Sequence, residues 1–413
     1  MKKNIKKVKI VDSFKVKRKK FLLYKECTCD ELFLIILKII FIFLLLIIFR
    51  FFVIKNYNNN LLIHLMEDTN TSKDKKDIKP KDELNNIKSD LNNIENEKIS
   101  NYINIGINID NKYIYPCIVF LTSLLNNRAK STFYIIHILT NTSLRNDTYN
   151  KVNEVIKQFG KNFCNVSYYD MGEQFKGATS GEYISTAAYY RISLPSLLHN
   201  VDKLIYCDTD VINFEDLSEM YKIQLDNNTY FCGALDFVGL IGEVSTFVSH
   251  IEKYMNSGII IMNLQAMRNN GIEEKIRQFV SNHFLNHHEQ TAINAICYDN
   301  FKILPYKYAT FALFNSTDSI IKFNNEQNEK YRYNESELIQ AFYQPVSLHY
   351  AGWTKPWHKK YNLMNSAYWW YYAKKSGFYE EILEHYEFLK NDTEAILKTI
   401  PSDGGLLKRN YKK

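Results

Sequence analysis

The chain has 413 residues, of which 46% are hydrophobic and 23% charged, and a formal net charge of +7. That length holds one large domain with appendages, or two domains. The basic excess lies in the segment from Met1 to Lys25; beyond it the chain is close to neutral, which argues against nucleic-acid binding and for a membrane-flanking charge cluster.

From Leu32 to Ile54 the sequence is almost wholly apolar, interrupted by Lys38 and Arg50. Its length suits one bilayer-crossing helix, which takes about 20 residues. Both charged stems lie toward the ends, where they can reach the interface. No small-residue cleavage site follows, so the run reads as an anchor and not as a cleaved signal. The basic tail (residues 1–31) then faces the cytosol, and the bulk of the chain lies on the far side. Lys55 to Ser100 is polar, with no aromatic after Tyr57, and reads as a stem. Within it Leu84, Ile87, Leu91 and Ile94 follow a 3-4-3 spacing, which suits either a short dimerising coiled coil or a solvated linker.

A catalytic domain is expected over residues 101–365. Strands are predicted at Ile103–Ile109, Phe133–Leu139, Val166–Tyr169, Lys203–Cys207, Phe231–Leu235 and Gly258–Met262. Helices are predicted at Pro116–Leu125, Asn150–Phe159, Ala187–Ser196, Ile272–Val280 and Gln290–Cys297. Apolar strands alternating with helices indicate an α/β fold with a mostly parallel central sheet flanked by helices. Ligands of such sheets gather at the carboxyl ends of the strands. Residues 366–413 read as a helical extension packed on the domain. Cys117, Cys164, Cys207, Cys232 and Cys297 sit mostly in apolar contexts and read as buried free thiols. Cys27 and Cys29 are too close for zinc-ligand spacing.

Asp208-Thr209-Asp210 follows the apolar run Leu204-Ile205-Tyr206-Cys207. Two carboxylates one residue apart, at the end of a buried strand, can grip a hard divalent cation and leave positions open for substrate phosphates. Far downstream stands His349-Tyr350-Ala351-Gly352-Trp353-Thr354-Lys355-Pro356-Trp357, after the short strand Val346-Ser347-Leu348. His349 can complete an Asp/Asp/His site. Gly352 permits a tight backbone approach, Lys355 a point charge against a leaving phosphate, and Pro356 and Trp357 a fixed loop.

The D-x-D triplet and the H-x-x-G-x-x-K-P-W string together resemble glycosyltransferase family 8. The resemblance runs roughly from Ile103 to Lys360. It implies a GT-A fold and retaining transfer from a nucleotide sugar with Mn²⁺ (or Mg²⁺). It places Asp110 and Tyr113 at the nucleoside, Arg191 of Tyr189-Tyr190-Arg191 at the donor, and Asp236 near the donor sugar. Asn256 and Gly258 match the family's N-x-G segment. Glu289-Gln290 stands where the family has Asp-Gln, so the Glu289 contact to the sugar is altered by one methylene. Gln290 is the positional match for a nucleophile, but an amide is a poor one. Attack by the acceptor on the face the diphosphate leaves is therefore expected, with the phosphate taking the acceptor's proton and Asp236 and Glu289 orienting donor hydroxyls.

The expected protein is thus a glycosyltransferase of the hexosyltransferase class that moves a hexose (or pentose) from a UDP-sugar to a glycan, glycolipid or glycoprotein and is held by a single N-terminal span. Its site faces the Golgi or ER lumen in a eukaryote, or it sits in the inner membrane of a bacterium. The rival readings are a self-glycosylating, glycogenin-like transferase and a non-catalytic glycan-binding protein on the same fold.

Overall fold

A computed structural model describes residues 99–141, 144–175, 186–236, 241–359 and 365–398. The predicted tail, membrane span and stem seam lie outside the described residues. Among those described, no helix is long and apolar enough to cross a membrane.

In chain order come β1 (Asn101–Asn108), α1 (Ile114–Asn126), β2 (Thr132–Thr140), α2 (Asn146–Phe159) and β3 (Cys164–Asp170). A 3₁₀ segment (Thr186–Ser193) and a single α-turn lead to β4 (Lys203–Cys207) and β5 (Val211–Asn213). Then follow β6 (Phe231–Leu235), β7 (Met255–Asn263), α3 (Ile272–Asn282), α4 (His288–Cys297), β8 (Phe301–Ile303) and β9 (Thr310–Phe311). Two helices, α5 (Thr317–Asn325) and α6 (Glu335–Tyr343), precede β10 (Ser347–His349). The helices α7 (Ser366–Lys375), α8 (Tyr379–His385) and α9 (Lys390–Leu397) follow it.

The main sheet has the order β3-β2-β1-β4-β7-β6-β8. It is mixed: β3, β2, β1 and β4 pair in parallel, as do β6 and β8, and β7 runs against both its neighbours. Strand alternation explains why helices cover both faces. Ile205 and Cys207 of β4 enter one core cluster, with Ile118 and Leu121 of α1. Leu204 and Tyr206 enter the other, with Ile276 of α3 and Ile293 of α4. Fully burying an aliphatic side chain of this kind contributes about 1.5–3 kcal/mol.

Two features of this topology build the site. The reversal of β7 brings its first residues to the carboxyl end of β4, where Cys207 pairs with Ile259 and Asp208 N donates to Gly258 O at 2.7 Å. A second, three-stranded sheet, β5-β10-β9, sets His349 opposite Val211. Tyr350 N closes that pairing onto Asp210 O at 3.0 Å.

The helix predicted at Ala187–Ser196 is a 3₁₀ segment to Ser193 with an α-turn at Leu194–Leu197. The reason is Pro195: it has no N–H to give to the carbonyl four residues back, so an α-helix cannot run through it and restarts with the proline in its first turn. The scattered cysteines Cys117, Cys164, Cys207, Cys232 and Cys297 are buried free thiols, as predicted. Burial pushes their thiols up, that of Cys164 to about 11.

Candidate active site

Asp208, Asp210 and His349 each offer one ligand atom, and these atoms lie within 4.8 Å of one another. The two carboxylates differ in setting. The Asp208 side chain keeps 30% of its exposure, whereas that of Asp210 keeps 10%. Asp208 Oδ1 accepts from Arg191 at 2.6 Å and from Tyr206 OH at 3.1 Å. Asp210 Oδ2 accepts from Lys355 Nζ, which also donates to Tyr350 O at 2.7 Å. Burial raises the Asp210 carboxyl, but Lys355 and then His349 outweigh it and hold it well below the usual carboxylate range.

The donor set fits a divalent cation on three observations. Asp210 Oδ1 is buried without a hydrogen-bond partner. Asp210 Oδ1 and His349 Nε2 stand 3.2 Å apart without sharing a hydrogen bond of good geometry. Beside them lies Gly258, where a Cβ would stand 2.7 Å from His349 Nε2 and 2.9 Å from Asp208 Oδ2. Two carboxylate oxygens and an imidazole nitrogen thus border one small space that only a glycine leaves open. Such a hard and borderline donor set suits Mg²⁺ or Mn²⁺.

Arg191 is the fixed centre of the site. Its guanidinium donates to Ala188 O, Ser257 O and Asp208, lies 3.3 Å from Glu289 Oε1, and stacks over the Tyr206 ring at 4.0 Å. Glu289, at the start of α4, accepts from Ser257 Oγ at 3.1 Å. Its carboxyl is therefore engaged by Arg191 and Ser257. Burial pushes it above its usual range, more than Arg191 pulls it down.

Asp236, Asn256 and Gln290 form a second group. Asp236 Oδ2 accepts from Asn256 Nδ2 at 3.0 Å and from Gln290 Nε2 at 3.1 Å. Gln290 Oε1 accepts from Ser257 N at 2.9 Å, and Asn256 Oδ1 from Gly258 N at 2.9 Å. The amide of Gln290 is thus held at both ends.

At the carboxyl end of β1, Asp110 Oδ1 accepts from the backbone N–H groups of Lys112 and Tyr113 and shapes the turn into α1. Tyr113 packs edge-on to Trp357 at 6.2 Å. Burial, then Asp210, Asp110 and Asp208, push its phenol up, so its hydroxyl belongs to the same electrostatic neighbourhood. Thr209 is buried between the two aspartates. Gly352 serves differently from the close approach predicted for it. Its φ is +84°, and a Cβ there would meet nothing within 4 Å. The loop needs its left-handed backbone, not its small size.

Sequence reasoning missed Tyr206 and Ser257. Tyr206 precedes Asp208 by two residues, and the two-residue period of a strand sets both on one face. Ser257 lies inside the Asn256–Gly258 segment and ties Arg191, Glu289 and Gln290 together. No motif marks it.

The family model for glycosyl transferase family 8 matches residues 104–361. General stress protein A of Bacillus subtilis is 28% identical over 247 residues, covering 57% of this chain and 80% of its own. A lipopolysaccharide 1,2-glucosyltransferase of Escherichia coli is 25% identical over 289 residues, covering 68% of this chain and 80% of its own. Among solved structures, the galactosyltransferase LgtC in complex with donor and acceptor sugar analogs superposes with a TM-score of 0.54 at 17% identity, covering 66% of this chain and 96% of that one. At that identity the likeness concerns the fold.

Proposed function

The chain belongs to glycosyltransferase family 8 and is a glycosyltransferase of GT-A fold, and from that premise we propose a membrane-anchored, retaining enzyme that transfers a hexose from a UDP-sugar to a glycan or glycoconjugate. The observation that carries this reading is the convergence of Asp208, Asp210 and His349 at the strand ends inside the family match. Mn²⁺ or Mg²⁺ held there would supply Lewis-acid stabilisation of the leaving diphosphate.

The residues divide the remaining work. Asp110, Tyr113 and Thr209 hold the nucleoside side of the donor. Lys355 meets the charge that develops on the departing phosphate. Asp236, Asn256 and Gln290 present a fixed carboxylate–amide surface to the sugar hydroxyls. Glu289 acts through Arg191 and Ser257 and is a positioning residue. Gln290, bonded at both ends, orients and does not attack. The new glycosidic bond then forms on the face from which the diphosphate leaves, and the acceptor's proton passes to the phosphate.

A hexose donor is favoured by the glucosyltransferase and galactosyltransferase names of the relative and the structural neighbour. Anchoring rests on the apolar run Leu32–Ile54 behind its basic tail, which directs the domain into the Golgi or ER lumen of a eukaryote, or away from the cytosol at a bacterial inner membrane. The Leu84–Ile94 seam would pair two copies. Protection of the domain from protease in sealed vesicles tests the topology.

The test of activity is UDP release by the full chain in detergent across a panel of UDP-sugars. Release from one donor, abolished by EDTA and restored by Mn²⁺, is expected. No release from any donor, together with no nucleotide binding, would overturn the reading.

A further inference from the structure

The two cations that face the aspartate pair are held very differently. Arg191 is locked by three hydrogen-bond acceptors, by Glu289 and by the ring of Tyr206. Lys355 donates to Asp210 Oδ2 and to the carbonyl of Tyr350. Its ammonium ends a flexible four-carbon stem, three residues after the left-handed Gly352. Arg191 is fixed beside Asp208 by its other contacts; Lys355 is held at Asp210 by that carboxylate and one carbonyl.

The charges matter. Asp208 and Asp210 carry two formal negative charges, and Arg191 and Lys355 cancel them. Each carboxylate gives one oxygen to its side-chain cation, leaving Asp208 Oδ2 and Asp210 Oδ1 beside His349. The ligand atoms for a divalent cation are in place, but Lys355 has already satisfied the charge of the more buried of the two aspartates. A second and third positive charge at that spot meets repulsion from the Lys355 ammonium, which is strong in a water-poor setting. A nucleoside diphosphate changes the balance, because its phosphate oxygens are better acceptors for Lys355 than an Asp210 shared with a divalent ion.

Building on the diphosphate–cation reading of this site, we propose that Lys355 is an internal counter-cation that exchanges Asp210 for the diphosphate, so that divalent cation and nucleotide bind jointly. Separately, each binds weakly. Together, Lys355 moves onto the phosphates and Asp210 is released to the cation. Coupling of this kind is reciprocal: UDP must tighten the cation by the same factor as the cation tightens UDP. A donor-free protein is thereby kept from holding a cation tightly.

The test is calorimetric titration of the full chain in detergent with Mn²⁺ alone, UDP alone, and each in the presence of the other. The wild-type chain is expected to show coupling on the order of tenfold or more. Lys355→Met is expected to bind Mn²⁺ alone about tenfold more tightly than wild type, to bind UDP more weakly, and to lose most of the coupling. Independent binding of Mn²⁺ and UDP to the wild-type chain would overturn the proposal without recourse to any variant. So would unchanged or weaker Mn²⁺ binding by both Lys355→Met and Lys355→Gln. If the wild-type chain binds no divalent cation even with UDP present, the metal reading of Asp208, Asp210 and His349 fails as well, and the two failures are told apart.

Discussion

Gly258 and His349 compete for the room of one methyl group: a Cβ on Gly258 would stand 2.2 Å from His349 Cε1. The glycine is held there by its strand, since its carbonyl accepts from Asp208 N. Gly258→Ala must therefore displace the imidazole from the aspartates. A displacement of about 1 Å at a reacting centre costs on the order of a hundredfold in rate. The variant is expected to lose at least that much cation-dependent UDP release and to bind Mn²⁺ more weakly. Near-wild-type values of both would refute the role given to His349.

The two aspartates should separate activity from stability. Asp208→Asn and Asp210→Asn are both expected to abolish turnover. Asp208 is partly exposed, and Arg191 keeps its other acceptors, so the melting temperature should change little. Asp210→Asn leaves the buried Lys355 without its carboxylate. Breaking one side of a buried ion pair costs about 3–5 kcal/mol, which should appear as a clear drop in melting temperature. Thermal unfolding of the two variants side by side checks this.

Glu289 offers the opposite exchange. Its carboxyl is pushed up by burial, Arg191 notwithstanding, so the folded state favours the protonated form. Stability from that preference is present at low pH and is lost as pH rises through the raised value. Glu289→Gln removes the penalty. The variant should melt higher than wild type at pH 7.5, and the gap should close as pH falls toward the ordinary glutamate range. Activity should fall, because the amide changes the contacts by which position 289 holds Arg191 and Ser257. A lower melting temperature at neutral pH would show that the Arg191 attraction dominates.

His137 governs a pH response remote from the site. It lies between Asn104 Oδ1 and Tyr169 OH, each 3.0 Å from a ring nitrogen, and burial lowers it from 6.5 to about 4. The unfolded chain takes up the proton first, so stability falls as pH drops from 6.5 to about 4. His137→Gln keeps polar atoms in reach of both partners and cannot titrate. Its melting temperature should decline less than that of wild type over this interval. Parallel declines would remove His137 from the acid response.

The sequence was most legible where one period ruled. β4 and β6 fall at their predicted limits because each is a short apolar run bounded by turn residues. Asp208, Asp210 and His349 were recognisable as a set from their residue types and motif spacing. What local patterning could not give was the way they meet. Val211–Asn213 is a three-residue strand, too short to show a period, and it pairs with Ser347–His349, more than a hundred positions away. The reversal of β7 likewise shows only in its pairing with β4 and β6. Ser257 escaped notice because a serine in a strand carries no mark of the side chains it will link.

Trp369 of α7 packs at a tilt against Trp357 with ring centroids 5.1 Å apart, Trp370 Nε1 donates to Pro356 O at 3.1 Å, and Tyr350 OH donates to Asn365 O at 2.6 Å. The family match ends at residue 361, before this helix begins. The inherited motif and the folding unit therefore have different borders. The loop that carries His349 and Lys355 rests on tryptophans that the family pattern does not prescribe. Sequence drift in this tail is constrained by the reaction it never touches, and a chimera that swaps the catalytic loop between relatives must carry the tail with it.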